Sequence, residues 1–259
     1  MWIQDLEKPL LLKRAIELNQ FPRYVYKYKP LNKFTERIFK DSNIWFAKPN
    51  TLNDPFDCQI VTKNDNTKEE ILAFLKKRNH IDLIKNLNNG LFTEDLWNQN
   101  INEVINTFIN KCGISCFAGS NDNILMWSHY TNSHKGICIK FDILEDLNFF
   151  MLPLQVKYSE LYPEYNHIRE DRTMLIEKLF QTKAKCWEYE NEIRILKPLQ
   201  NGNIKFNKAI VKEICFGVNT NESEILFYKN LVKKNNFQNI IFKKAKVSKN
   251  KFNLVIEDI

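Results

Sequence analysis

The stretch YVYKYKPLNKFTERIFKDSNIWFA, residues 24–47, decides how the rest of the chain is read. Residues 24–29 alternate aromatic and basic side chains with a period of two, which predicts a strand. Residues 32–40 follow as a short helix and residues 43–47 as a second strand. A helix over residues 5–19 precedes this strand, helix, strand opening. Downstream, Thr67 and Thr93 each stand before an apolar-periodic run, the second carrying Trp97, Ile101, Val104, Ile105 and Phe108, so residues 66–111 read as a helical insertion. Strands are then expected at 114–117, 136–141, around 155–158, and at 190–197, 211–216, 239–246 and 252–257. Helices are expected at 121–130, from 169 to about 185, and at 222–234. Strands at such irregular spacing predict an α+β fold with a mixed, largely antiparallel sheet and flanking helices, rather than a doubly wound parallel one.

The chain has 259 residues with 44% hydrophobic and 27% charged side chains, which argues against disorder and disulfide-scaffold classes. Six glycines leave no room for a flexible linker, and there is no internal repeat. The expectation is a single domain over 1–259, with 66–111 as an insertion and 198–259 as its lysine-rich C-terminal part. The opening lacks the basic start and apolar run of a secretory signal, and no apolar stretch reaches membrane-spanning length, so the expected location is cytoplasmic without membrane contact. Cys58, Cys112, Cys116, Cys138, Cys186 and Cys215 are scattered with no C-x-x-C pair, and the histidines give no H-E-x-x-H helix, so no metal centre is expected.

Net charge is +7, and its excess lies late: residues 1–182 balance 23 basic against 23 acidic side chains, while 183–259 carry 15 against 8. Eight lysines from Lys229 to Lys251 meet no acid in sequence, which suggests nucleic-acid contact through phosphates. The chain uses 31 Lys against 7 Arg, however, and compositional bias explains that as readily as selection for base reading.

Chemistry concentrates in the late strand. Period-two geometry puts Glu190, Glu192 and Arg194 on one face, with Ile193 and Ile195 on the other. Two carboxylates beside a guanidinium can hold one acid ionised while the other has a raised pKa; the bland alternative is an exposed ladder of ion pairs. Asn53-Asp54-Pro55 makes a tight turn that closes a loop or presents Asn53 and Asp54 to a ligand. Trp127 and Tyr130, three apart on a short helix, either pack in the core or wall a base-stacking slot. His129 reads as a hydrogen-bonded structural histidine. No G-x-S-x-G elbow, Walker loop or G-x-G-x-x-G is present.

Four blocks, Tyr24 to Lys29, Ile44 to Asp57, Met126 to Asp142 and Trp187 to Ile195, resemble in order and spacing a bacterial family described as a domain of unknown function, number 2971. That resemblance brings no activity. The early strand, helix, strand followed by a late E-x-E strand is also similar to the ADP-ribosyltransferase layout. This second resemblance implies NAD as co-substrate, Glu192 as the catalytic carboxylate stabilising a developing oxocarbenium, and Glu190 as the residue that positions the acceptor. Lys27 or Tyr28 stands where that layout has an early-strand His or Arg, and Asn53, Asp54, Trp127 and Tyr130 complete the implied cofactor site. The implied function is an NAD-consuming enzyme that modifies a protein or nucleic acid, as a defence or toxin effector. Two alternatives stand beside it. One is a nucleic-acid binder or nuclease in which Asp54, Asp57, Glu190 and Glu192 gather a divalent ion, and the other is a non-catalytic sensor.

Overall fold

The computed structural model describes residues 7–63, 65–91 and 93–259. In chain order the first elements are α1 (Lys8–Glu17), β1 (Tyr24–Lys29), α2 (Lys33–Lys40), β2 (Asn43–Phe46) and β3 (Val61–Thr62). The helical insertion follows as α3 (Lys68–Lys77), α4 (Ile81–Asn88) and α5 (Glu94–Lys111). Next come β4 (Gly113–Ala118), α6 (Ile124–Tyr130), β5 (Ile137–Asp142), β6 (Pro153–Gln155), β7 (Lys157–Ser159) and β8 (Glu164–Tyr165). The chain continues with α7 (Arg172–Gln181), β9 (Thr182–Ala184), β10 (Glu192–Lys197) and β11 (Gly202–Lys205). It closes with β12 (Val211–Phe216), α8 (Glu222–Lys234), β13 (Ile241–Val247) and β14 (Leu254–Asp258).

Side chains at the helix starts explain several of these boundaries. Asn32 Oδ1 accepts from the amides of Phe34 and Thr35 and so caps α2. Thr67 and Glu70 form a reciprocal capping box at α3, and Asn221 with Glu224 forms another at α8. The insertion buries Ile71, Leu75, Leu87 and Trp97 in a cluster of its own.

An eight-stranded sheet runs in the order β14-β13-β12-β5-β1-β4-β10-β6. Its pairings are antiparallel except β12 with β13, which α8 joins as a crossover. This is the expected α+β architecture with a mixed, largely antiparallel sheet and flanking helices. One face packs Val25, Phe117, Ile139, Phe141, Ile193, Ile195 and Ile214 into the main core, and the opposite face carries Tyr28, Ala118, Cys138, Cys215 and Trp127.

The sheet forks at one place. β1 pairs with β5 over six residues, from Tyr24 opposite Asp142 to Lys29 opposite Ile137, but meets β4 only where Tyr26 faces Ala118. Farther along β4, Ala47 just beyond β2 exchanges both backbone hydrogen bonds with Ile114, each 2.8 Å. A crevice is left between β1 and β4.

Three expected elements differ. The helix expected from 169 to 185 spans Arg172–Gln181 and gives way to β9, which pairs in parallel with β7, because tertiary pairing outweighs the helical pattern. The strand around 155–158 divides into β6 and β7, which join different sheets. The late strand begins at Glu192, and Glu190 belongs to a 3-10 turn over Lys185–Glu190.

The lysine run is acid-free in sequence but not in space. Lys243 pairs with Glu213 at 3.1 Å and Lys246 with Glu257 at 2.5 Å, because β12 and β14 flank β13. Among the described residues, no helix is long and apolar enough to cross a membrane.

Candidate functional site

The crevice at the fork is a cavity of about 210 Å³. It gathers six of the eight residues of the implied catalytic and cofactor site, Lys27, Tyr28, Asn53, Tyr130, Glu190 and Glu192, together with Asp57. Asp54 and Trp127 do not line it. Asp54 Oδ1 accepts from the Phe56 amide at 2.9 Å, so its carboxylate is spent on the turn that presents Asn53.

Trp127 lies behind the wall. It is fully buried, donates from its indole to Asn121 O at 2.7 Å and meets the Tyr28 ring edge-on at 5.2 Å. Of the two readings available from sequence, its complete burial among Tyr28, Ala118, Met126 and Cys138 favours packing, while Tyr130, three residues on, lines the crevice. Trp127→Phe should cost about 2 kcal/mol, from a smaller ring and a lost hydrogen bond, as read by a shift of the urea midpoint. A stability unchanged by that substitution would contradict the packing role.

α6 fixes Tyr130 through its ties to the 3-10 turn. Asn123 caps the helix with Oδ1 while its Nδ2 donates to Tyr189 O at 2.6 Å, and His129 Nδ1 lies 3.1 Å from the Tyr189 hydroxyl. The Tyr130 hydroxyl thereby reaches Glu190 Oε1 at 2.5 Å, and Asn53 lines the same crevice.

Glu190 returns to Glu192 by a route that strand periodicity does not show. Asn191 between them has φ +42°, a left-handed turn that Asn tolerates. Gly119 makes room, since a Cβ there would stand 2.3 Å from Asn191 Nδ2. Lys183 on β9 then bridges the two carboxylates, at 2.5 Å from Glu190 Oε2 and 2.9 Å from Glu192 Oε2.

Behind Glu192 lies Arg194, wholly buried. Its Nε donates to Glu192 Oε1 at 2.8 Å, its Nη2 to Asp57 Oδ2 at 2.6 Å, and its Nη1 to Phe180 O at 3.2 Å. The last of these satisfies a carbonyl in the final turn of α7 that the helix itself leaves open. Glu192 is 2% exposed, so the row is no exposed ladder of ion pairs, and that bland reading is corrected by burial.

The two acids titrate apart. Burial works against ionisation of Glu192, but Arg194 and Lys183 outweigh it and hold its carboxyl at about 2. For Glu190 burial prevails over Lys183 and Tyr130, and its pKa is raised. In the same arrangement the acids named for a divalent ion have other partners. Among the described residues no three His, Cys, Asp or Glu side chains are grouped to hold a metal; Asp57 and Glu192 are turned to Arg194, and Glu190 to Lys183.

Lys27 fills the gap in the ladder. Its Nζ donates to Cys116 O at 2.7 Å, a β4 carbonyl that no β1 amide reaches, and to Ser115 Oγ at 2.9 Å. Burial pushes its pKa down to about 7, with the neighbouring Lys29 charge adding to the effect.

Sequence reasoning missed Lys183, Asp57 as the partner of Arg194, and Ser115. Lys183 was hidden inside an expected helix, and Asp57 stands 137 positions from Arg194. No curated protein and no solved structure matches this chain. Residues 126–195, which hold all but the first two residues of α6, Lys183, both glutamates and Arg194, are similar to the family described as a protein of unknown function (DUF2971).

Proposed function

We propose that the crevice binds the nicotinamide riboside half of NAD and transfers ADP-ribose to an acceptor, in the manner of an ADP-ribosyltransferase-like enzyme. The observation that carries this reading is one cavity holding a firmly ionised carboxylate, Glu192, and a second with raised pKa, Glu190, hydrogen-bonded to Tyr130. In the transfer the bond between ribose C1′ and the nicotinamide nitrogen breaks, and its electrons leave with nicotinamide. An acceptor O–H or N–H attacks C1′, and its proton passes to Glu190.

A raised pKa makes Glu190 the stronger base of the pair, which is why the proton is assigned to it. Glu192 is already neutralised by Lys183 and Arg194, so it acts as a fixed anion that orients Lys183. The roles implied by the resemblance are thus redistributed between the two acids. At about 210 Å³ the crevice falls below the roughly 300–1,000 Å³ of whole-ligand pockets and suits only the reacting half.

The experiment is nicotinamide release from NAD by the purified chain, with acceptor-rich lysate present. Glu190→Gln should lower release by about 100-fold or more, near 3 kcal/mol, with little loss of stability because Lys183 keeps Glu192. Absence of release by wild type, or equal release by Glu190→Gln, overturns the reading.

A further inference from the structure

Lys27 and Lys29 stand two residues apart on one face of β1 and belong to two cavities at once. Together with Trp45 they line both the crevice and a second cavity of about 430 Å³ between β1, α2 and β2. Among the described residues neither lysine has a carboxylate in hydrogen-bond or ion-pair contact. The field of Glu192 reaches Lys27, but Lys183 and Arg194 already answer that charge.

Like charges this close, withdrawn from water with no counterion, repel each other and are poorly solvated. Burial lowers the pKa of both, and no acid on α2 or β2 offsets it. Arg37, exposed on α2, adds a third cation to the same cavity. Two large aromatic rings flank these cations instead of being packed away: Trp45 is 61% exposed and Phe34 65%. Cations without acids beside an uncovered ring match an anion attached to a flat aromatic group.

We infer that the second cavity holds the phosphates of a nucleotide, with Lys27, Lys29 and Arg37 taking phosphate oxygens and Trp45 stacking on its base. The continuity of this site with the crevice rests on the NAD reading above; its charge and aromatic content do not. A dinucleotide then lies across Lys27, with its reacting half against Glu190 and its phosphates against Lys29.

The test is calorimetric titration of the full chain with ADP, inorganic pyrophosphate and adenosine. ADP should bind at least tenfold more tightly than adenosine. Lys29→Gln and Arg37→Gln should each weaken ADP by tenfold or more without altering adenosine, and Trp45→Ala should weaken ADP but not pyrophosphate. Arg37 and Trp45 are exposed, so those two variants fold whatever happens to Lys29→Gln; melting curves confirm it.

Equal binding of ADP and adenosine, or ADP binding unchanged in Lys29→Gln and Arg37→Gln, overturns the phosphate site. Pyrophosphate binding as tightly as ADP, with no effect of Trp45→Ala, overturns the nucleotide in favour of a simple anion. The two proposals fail separately. ADP binding without nicotinamide release removes the NAD reading and keeps this site, whereas release that ADP does not inhibit removes this site and keeps that reading.

Discussion

Arg194→Met should destabilise the protein by about 5 kcal/mol, enough to consume much of the margin of an ordinary domain. Methionine nearly preserves the volume of the arginine stem, so the loss reports charge rather than a cavity. Removing the guanidinium leaves buried Asp57 without its cation, leaves Glu192 to share Lys183 with Glu190, and leaves Phe180 O without its donor. Lys183 alone cannot neutralise both acids, since it lies against Glu190 and Glu192 and not Asp57.

Urea denaturation at neutral pH measures the effect. The decisive control is Arg194→Met combined with Asp57→Asn and Glu192→Gln, which removes the uncompensated charges along with the arginine. That triple variant should recover most of the loss, because replacing all members of a buried ion cluster is far milder than breaking one. No recovery would mean that Arg194 acts through packing. The same geometry explains why Glu192→Gln is a poor probe of catalysis. It takes one of two carboxylates from each of two buried cations, Lys183 and Arg194, so a loss of activity would be mixed with a loss of stability.

Lys27 should make stability rise with pH. Its pKa is about 7 in the folded protein against 10.5 ordinarily, because burial disfavours the ammonium. Between those values the unfolded chain binds a proton that the folded protein does not, so the stability of the folded state climbs as pH rises. The penalty is fully present below about pH 7 and vanishes above about 10.5. Its size is about 5 kcal/mol, from 3.5 pH units at roughly 1.4 kcal/mol each.

Lys27→Met removes that penalty but also the hydrogen bonds to Cys116 O and Ser115 Oγ, which costs about 1–3 kcal/mol. The variant should therefore be more stable than wild type by about 2 kcal/mol or more at pH 6 and less stable at pH 10. Denaturation curves of both proteins at the two pH values check this, and the difference between them cancels every other titrating group. A variant less stable at both pH values would mean that the lysine is comfortably charged where it lies. That a buried cation burdens the fold until something answers it is the energetic side of the anion site inferred beside Lys29.

Local signals in the sequence were enough for the elements whose residues settle their own conformation. β1, β12 and α8 stand at the expected residues, and the alternation of β1 and the Asn221 capping box of α8 are written within a few positions. The helical insertion and the largely antiparallel α+β sheet follow from the same short-range patterns. So does the choice of Glu190, Glu192, Tyr130, Asn53, Lys27 and Tyr28, whose residue types and matched blocks were visible before any of them was placed.

What brings those six to one crevice is long-range. β1 and β4 part after a single residue pair, and neither strand's sequence records where its partner stops. Lys183 reaches the two glutamates because β9 pairs with β7, which halts a helix that periodicity alone would continue. Asp57 finds Arg194 only when the loop after β2 folds against α7 and β10. The burial of Glu192, and with it the change from an ion-pair ladder to a locked network, was decided by those contacts. Charge state follows desolvation and the distance to other charges, and both are properties of the assembled structure.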